Sequence, residues 1–316
     1  MTAQPRDNLL LGVATIVLTG AVVAFGDALV KHANASFSAW QLYVVRAAMA
    51  LPLLFVVAWL ARGAIGGMRP KAIGWVALRS LFLMMMWLAY YVALPNLSLP
   101  VLAAGYYAGP LFMVLLSALL VREPVGPRRW LAVLIGFAGV LVVLRPGTDA
   151  FSFLTVMPVL AGFFYAVAAI VTRARLVAEN PLVLSLGLNL GFLVFGVSAS
   201  ALLVLLPAPP ADLAADQSFL LGPWVALGLR EYGYIAVLAV IAVATGFSVA
   251  KAYQSGPPAI IGTFDYTYLV WAAFWSFLFF DVLPDRMTIL GMFMIAGAGM
   301  LAIWSPKARP VAAEAG

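Results

Sequence analysis

Ten apolar runs follow one another along the chain with only short polar turns between them: Leu9 to Val30, Ala39 to Leu60, Ala72 to Leu94, Leu99 to Val121, Trp130 to Leu144, Phe153 to Thr172, Leu182 to Leu206, Tyr232 to Tyr253, Pro258 to Phe280 and Met287 to Trp304. Most hold about 18 to 25 residues, enough for a helix to cross a bilayer core of roughly 30 Å. A spanning β-strand needs only about 10 residues and alternates apolar with polar positions, which these runs do not. The pattern predicts an all-α integral membrane protein with ten transmembrane helices.

Composition agrees: 65% of residues are hydrophobic and 9% charged, against roughly 25% charged in an average soluble chain. The polar leader Met1 to Asn8 and the small residues Ala33-Asn34-Ala35 raise the reading of a cleaved signal peptide. The first run is longer than the usual signal core of about 7 to 15 residues and contains Asp27, so a retained first helix is expected. With no cysteine there is no disulfide framework, thiol nucleophile or thiolate metal site. No cofactor is expected, and no nucleotide-binding loop supports direct ATP drive.

The sequence pI of 9.7 is explained by basic residues at helix ends, so nucleic acid is not an expected partner. If the N-terminus is cytoplasmic, the inner side collects Arg6, Arg62, Arg69, Lys71, Arg122, Arg128, Arg129, Arg173, Arg175, Lys307 and Arg309, while the outer side keeps Lys31, Arg145, Arg230 and Arg286. That asymmetry predicts an inner-membrane protein with both termini cytoplasmic and the longest loop, Pro207 to Arg230, outside.

The two halves echo each other at a spacing near 160 residues. Gly136-Phe137-Ala138-Gly139-Val140 precedes Arg145-Pro146 as Ala296-Gly297-Ala298-Gly299-Met300 precedes Ser305-Pro306, and Glu123 and Asp281 end the fourth and ninth runs. The expected organisation is a first repeat over 1–146, a second over 147–306 and a tail over 307–316. Five helices per half is an odd number, so the repeats must be inverted, an arrangement common in secondary transporters.

The chain resembles the drug/metabolite transporter superfamily and, within it, the ten-helix EamA-type transporters. The resemblance rests on Gln41, Arg46, Arg79, Gly109-Pro110-Leu111, Leu119-Leu120-Val121-Arg122-Glu123 and the Gly136 to Val140 segment in the first half. In the second half it rests on Phe279-Phe280-Asp281 with Gly291, Gly297 and Gly299. Asp281 stands where the family usually has Glu, and Tyr268 where the first half has Pro110. The opening Gly26-Asp27-Ala28-Leu29-Val30-Lys31-His32 is similar to a bacterial subgroup labelled as S-adenosylmethionine or riboflavin uptake carriers.

Ionisable groups inside a bilayer cost about 2.5 to 3.5 kcal/mol each on insertion scales, so those present tend to face the bundle interior. Arg46 and Arg79 each lie about seven residues inside a run. They either snorkel or tie helix ends together, or capture an anion or carboxylate. Leu83, Met86 or Trp87, and Tyr90 follow Arg79 at helical spacing and form one face with it. Asp265 is the leading candidate, about seven residues into the ninth run with no base within a helical turn. It suits a coupling proton or a substrate cation, or else a tie to Arg46 or Arg79. Asp27 and Lys31, four apart, are expected to pair locally, His32 to lie in an exposed loop, and Lys251 to snorkel.

The inverted repeat makes the fourth and ninth helices equivalent and sets Tyr107 opposite Asp265. In Gly105-Tyr106-Tyr107-Ala108-Gly109-Pro110, Gly105, Gly109 and Pro110 serve packing or a hinge. Trp87, Tyr90, Tyr91, Tyr106, Tyr107, Tyr266, Tyr268, Trp271 and Trp275 offer a substrate cage or interface anchors, and Trp87, Tyr107, Tyr268 and Trp271, near the middle of a run, are the ones expected in a cage. Taken together, the expected binding residues are Arg46, Arg79, Trp87, Tyr90, Tyr107, Asp265, Tyr268 and Trp271. The leading function is a secondary active carrier of a small organic metabolite, with membrane lipid as its surroundings and a proton as one candidate coupling ion. The alternatives are a flippase for lipid-linked substrates or a scaffold and, last, an intramembrane lipid enzyme, for which no catalytic constellation is found. Uptake and efflux are not distinguished, and a monomer suffices although a dimer would also fit.

Overall fold

A computed structural model describes residues 9–60, 70–120, 126–149, 151–176, 179–207, 210, 217–254 and 264–304. Among them there is no strand, and twelve helices follow in order: α1 Leu9–Ala33, α2 Ala39–Leu60, α3 Ile73–Ala93, α4 Leu99–Tyr106, α5 Gly109–Leu120, α6 Pro127–Leu144, α7 Phe153–Arg175, α8 Pro181–Leu205, α9 Ser218–Leu221, α10 Leu229–Gln254, α11 Thr267–Phe280 and α12 Arg286–Trp304. Arg6, Arg62, Arg69, Arg122, Glu123, Asp212, Asp216, Lys307 and Arg309 lie outside the described residues, as do the side chains of Arg129, Arg173 and Lys251.

Among the described residues, α1, α2, α3, α7, α8 and α10, and α4 with α5 taken together, are long and apolar enough to cross a membrane. Their outer faces carry large apolar side chains, with Leu229 92% and Val204 85% exposed and Trp59, Val194, Val270 and Phe293 also outward. A belt of this size is incompatible with water as solvent and requires lipid. The chain is therefore a multi-pass membrane protein.

Two expected runs are interrupted. The fourth is not one continuous helix: α4 stops at Tyr106 and α5 restarts at Gly109. Pro110 has no N–H to offer the carbonyl one turn back, so the helix cannot run straight through; instead the Ala108 amide bonds the Gly105 carbonyl and the Leu111 and Phe112 amides both bond the Ala108 carbonyl. In the ninth run, residues 255–263 are outside the described set; Phe264 and Asp265 are helical, Tyr266 is a turn residue and α11 begins at Thr267, so Asp265 sits in helical backbone just before the interruption. His32 is exposed as expected but sits in the last turn of α1, its ring against Tyr234 and Phe279.

The longest helix contacts pair α6 with α12, α3 with α7 and α2 with α8. Around these, α1 packs on α10 and α11, α7 on α4 and α5, α2 on α10, α3 on α8, and α4 on α11. The segment before α10 is bound to the start of α2: the Trp40 indole donates to the Leu220 carbonyl at 2.6 Å, and Gln41 exchanges two bonds with the backbone of Val225, at 2.8 and 3.3 Å. At the end of the α6–α12 pair, Arg145, in the left-handed region at φ 49°, pairs with Asp285. Slight burial pushes the Asp285 carboxyl up, but the Thr288 and Met287 amides and the Arg145 guanidinium outweigh it and hold it below the usual carboxylate value.

Candidate functional site

Asp27 is 6% exposed, deep between helices. Its Oδ2 accepts from the hydroxyl of Tyr90 on α3 at 3.3 Å and from the hydroxyl of Tyr268 on α11, and the two hydroxyls lie 3.3 Å apart. One carboxylate thus joins α1, α3 and α11.

The expected Asp27–Lys31 pair is not formed. Lys31 Nζ donates to the carbonyls of Leu94, Pro95 and Leu97 at 2.7, 3.0 and 2.7 Å. An ammonium has three donors and the end of α3 leaves carbonyls without helical partners, so the lysine is fully engaged there. Among the described residues the one ion pair is Arg145–Asp285, which leaves Asp27 without a cation.

Asp27 borders a cavity of about 920 Å³, counted out to its open mouth. The wall is drawn from α1 (Thr19, Gly20, Val23), α3 (Met86, Trp87, Tyr90), the α4–α5 break (Tyr106, Tyr107, Pro110), Tyr165 of α7, Val249 of α10, and Asp265 with Tyr268. Tyr107 stacks on Tyr268 with ring centres 5.2 Å apart, and its hydroxyl donates to the Asp265 backbone carbonyl at 3.3 Å. The same hydroxyl is also within reach of the Asp265 carboxylate. The floor is thus aromatic, with acidic side chains as its charged groups.

Of the expected binding residues, Trp87, Tyr90, Tyr107, Asp265 and Tyr268 line this one cavity, while Arg46, Arg79 and Trp271 do not. Arg46 neither snorkels nor meets a carboxylate within 4 Å among the described residues. It is buried, bonded to the Tyr91 hydroxyl at 3.2 Å and set over the rings of Phe192 at 4.9 Å and Trp87 at 5.6 Å. Aromatic faces attract a desolvated guanidinium by about 2 kcal/mol, which is how a cation is tolerated there. Trp271 packs near Gly20 and against the Phe274 ring. Arg79 borders a second cavity on the far side of Tyr165.

The small residues of the α4–α5 break sit in close contacts. A Cβ on Gly105 would lie 2.9 Å from the Pro158 side chain, and one on Gly109 would lie 3.2 Å from the Gly162 carbonyl and 3.5 Å from the Tyr165 ring. The break is therefore seated on α7.

Among the cavity residues with ionisable side chains, Asp27, Tyr106 and Tyr165 are those left out of the expected binding set. Gly20, Val23 and Asp27 recur at helical spacing and define one face of α1; that face was the available signal. Nothing comparable marks Tyr165.

Residues 10–145 match the EamA-like transporter family. The resemblance read from the sequence is borne out: the chain is similar to EamA-type membrane transporters. The pseudopaline exporter CntI of Pseudomonas aeruginosa (strain UCBPP-PA14) is 25% identical over 293 residues, 92% of this chain and 95% of its own. The riboflavin transporter of Vibrio cholerae is 24% identical over 96% of each chain. The S-adenosylmethionine uptake transporter of Rickettsia prowazekii is 26% identical over 64% of this chain and 62% of its own. A solved crystal structure 18% identical in sequence shares the fold, with a TM-score of 0.61 over 94% of this chain and 97% of that one.

Proposed function

We propose that the protein is a secondary carrier that moves a small, ring-bearing, cationic metabolite through the Asp27 cavity by alternating access. The observation that carries this reading is a buried carboxylate that has no cation partner among the described residues, is held by hydroxyls from both halves, and faces an aromatic cavity. A buried charge calls for a counter-charge. The cargo cation supplies it in one state, and a proton on Asp27 supplies it in the empty carrier. Tyr90, Tyr268, Tyr107 and the Asp265 carboxylate are the polar and titratable groups around it at the cavity, and Arg46 lies behind.

The architecture in this reading is ten spans in two inverted repeats, 1–146 and 147–306, with α4 and α5 forming one span, in the inner membrane with both termini cytoplasmic. The helix contacts support it. Exchanging each span for its counterpart five spans on turns the pairs α3–α7, α1–α11, α5–α7 and α3–α8 into others that are also present, and returns α6–α12, α2–α8 and α4–α11 to themselves. Two like halves of opposite topology can exchange conformations at nearly equal energy. The α4–α5 break at Pro110, seated on α7 through Gly105 and Gly109, is the hinge of that exchange.

Among the cargoes named for the relatives, S-adenosylmethionine fits the cavity's chemistry best, because it joins an aromatic base to a fixed cation. The test is uptake of labelled S-adenosylmethionine and labelled riboflavin into proteoliposomes of the full chain, with and without an imposed pH gradient. Saturable accumulation of the cationic compound, increased by the gradient, is the expected result. Accumulation of riboflavin alone, or indifference to the gradient, would contradict the cation and proton assignments respectively.

A further inference from the structure

The second cavity, about 860 Å³ counted out to its mouth, lies between α3, α7 and α8 and is bordered by Arg79, Thr172, Glu179, Tyr165 and Leu184 among others. Two hydrogen bonds hold Arg79 in it: Nε donates to Thr172 Oγ1 at 2.9 Å, and Nη1 reaches the Leu184 carbonyl at 3.5 Å. A guanidinium has five N–H donors. Most of them are left over, and among the described residues no carboxylate stands within 4 Å to use them.

Glu179, the acid on the same wall, is already engaged. Its Oε2 accepts the amides of Lys71 at 2.9 Å and Ala72 at 3.2 Å at the start of α3, and its Oε1 accepts the Asn180 amide at 3.4 Å. The negative charge in the cavity is turned onto backbone, and the positive one is presented.

The two cavities share one wall residue, Tyr165. Its hydroxyl is within electrostatic reach of both the Asp265 carboxylate and the Arg79 guanidinium. Its ring packs on Tyr106 with centres 5.6 Å apart and lies against Gly109, at the α4–α5 break. Tyr165 thus ties the partition between the two cavities to that break.

We propose that the Arg79 cavity is an oxyanion subsite, which takes the carboxylate or phosphate end of the cargo while its ring and cation occupy the Asp27 cavity. The proposal rests on the carrier reading and narrows it to cargo that bears both charges. Arg79 presents a planar fork suited to a two-oxygen acid, and Thr172 orients that fork. A phospholipid headgroup offers the same chemistry, so the test must separate a soluble oxyanion from a lipid one.

The experiment is thermal unfolding of the purified full chain in an uncharged maltoside detergent, titrated with inorganic phosphate against chloride at matched ionic strength. A parallel series adds phosphatidylglycerol in place of phosphate. The expected result is a saturable rise in Tm with phosphate, an apparent affinity at least tenfold weaker in Arg79→Gln, and a severalfold loss in Thr172→Val, which keeps the cation and decides the matter if Arg79→Gln does not fold. Asp27→Asn should keep the phosphate response, so failure of the Asp27 reading is read separately. No saturable shift in the wild type, equal affinity in the variants, or a response to phosphatidylglycerol alone overturns the proposal.

Discussion

Asp27→Asn is expected to lower transport of a cationic cargo by about a hundredfold while the protein remains folded. Removing one member of a buried, hydrogen-bonded charge pair costs about 2 to 5 kcal/mol, or one and a half to three and a half decades in affinity. Asparagine still offers an oxygen to the Tyr90 and Tyr268 hydroxyls that now meet at Oδ2, so the helix contacts should survive. The check is initial uptake rate beside Tm in detergent. Asp265→Asn should lose less, about tenfold, because Tyr107 is bonded to the backbone carbonyl of residue 265 and keeps its partner in the variant. Equal losses in the two variants would argue against Asp27 as the principal cation site.

Gly139→Val is expected to be strongly destabilising. Along the α6–α12 pair, a Cβ on Gly139 would lie 2.7 Å from the Met294 Cβ and 3.0 Å from the Gly291 carbonyl, and a Cβ on Gly291 would lie 2.8 Å from the Gly139 carbonyl. Each backbone fills the space a side chain would need. Overpacking a close contact costs about 1 to 3 kcal/mol, and a branched side chain here must push two helix backbones apart, so valine belongs at or above the top of that range. A fall in Tm and in the yield of folded protein, larger than that of Gly297→Val where nothing lies near the added atom, is the outcome to measure.

Most of the helical layout was legible in the chain because lipid leaves so few solutions. A long apolar run must satisfy its own backbone, and the boundaries of α1, α2, α7 and α8 follow their runs within a few residues. The site was legible in part. Position within a run brought Trp87, Tyr107, Tyr268 and Trp271 forward, of which the first three line the cavity and Trp271 does not; Tyr90, reached by helical spacing from Arg79, lines it as well. The ranking of the carboxylates was not legible, since i, i+4 spacing favours an Asp27–Lys31 pair and only the folded chain shows the three carbonyls that engage Lys31 instead. Arg46 was equally opaque: no spacing along the chain reveals that rings from α2, α3 and α8 surround it.

Cargo is proposed to occupy the cavity beside Asp27, and because the chain has no cysteine a single introduced thiol can probe that occupancy directly. Val23 lines the cavity one turn before Asp27 and is partly exposed to it. The measurement is the rate at which a small, water-soluble thiol reagent modifies Val23→Cys in folded protein, with and without a saturating concentration of a compound shown to be transported. Val23→Cys should be modified in the empty protein and at least severalfold more slowly when the cavity is occupied. Modification at the same rate with and without saturating cargo would contradict the proposed occupancy.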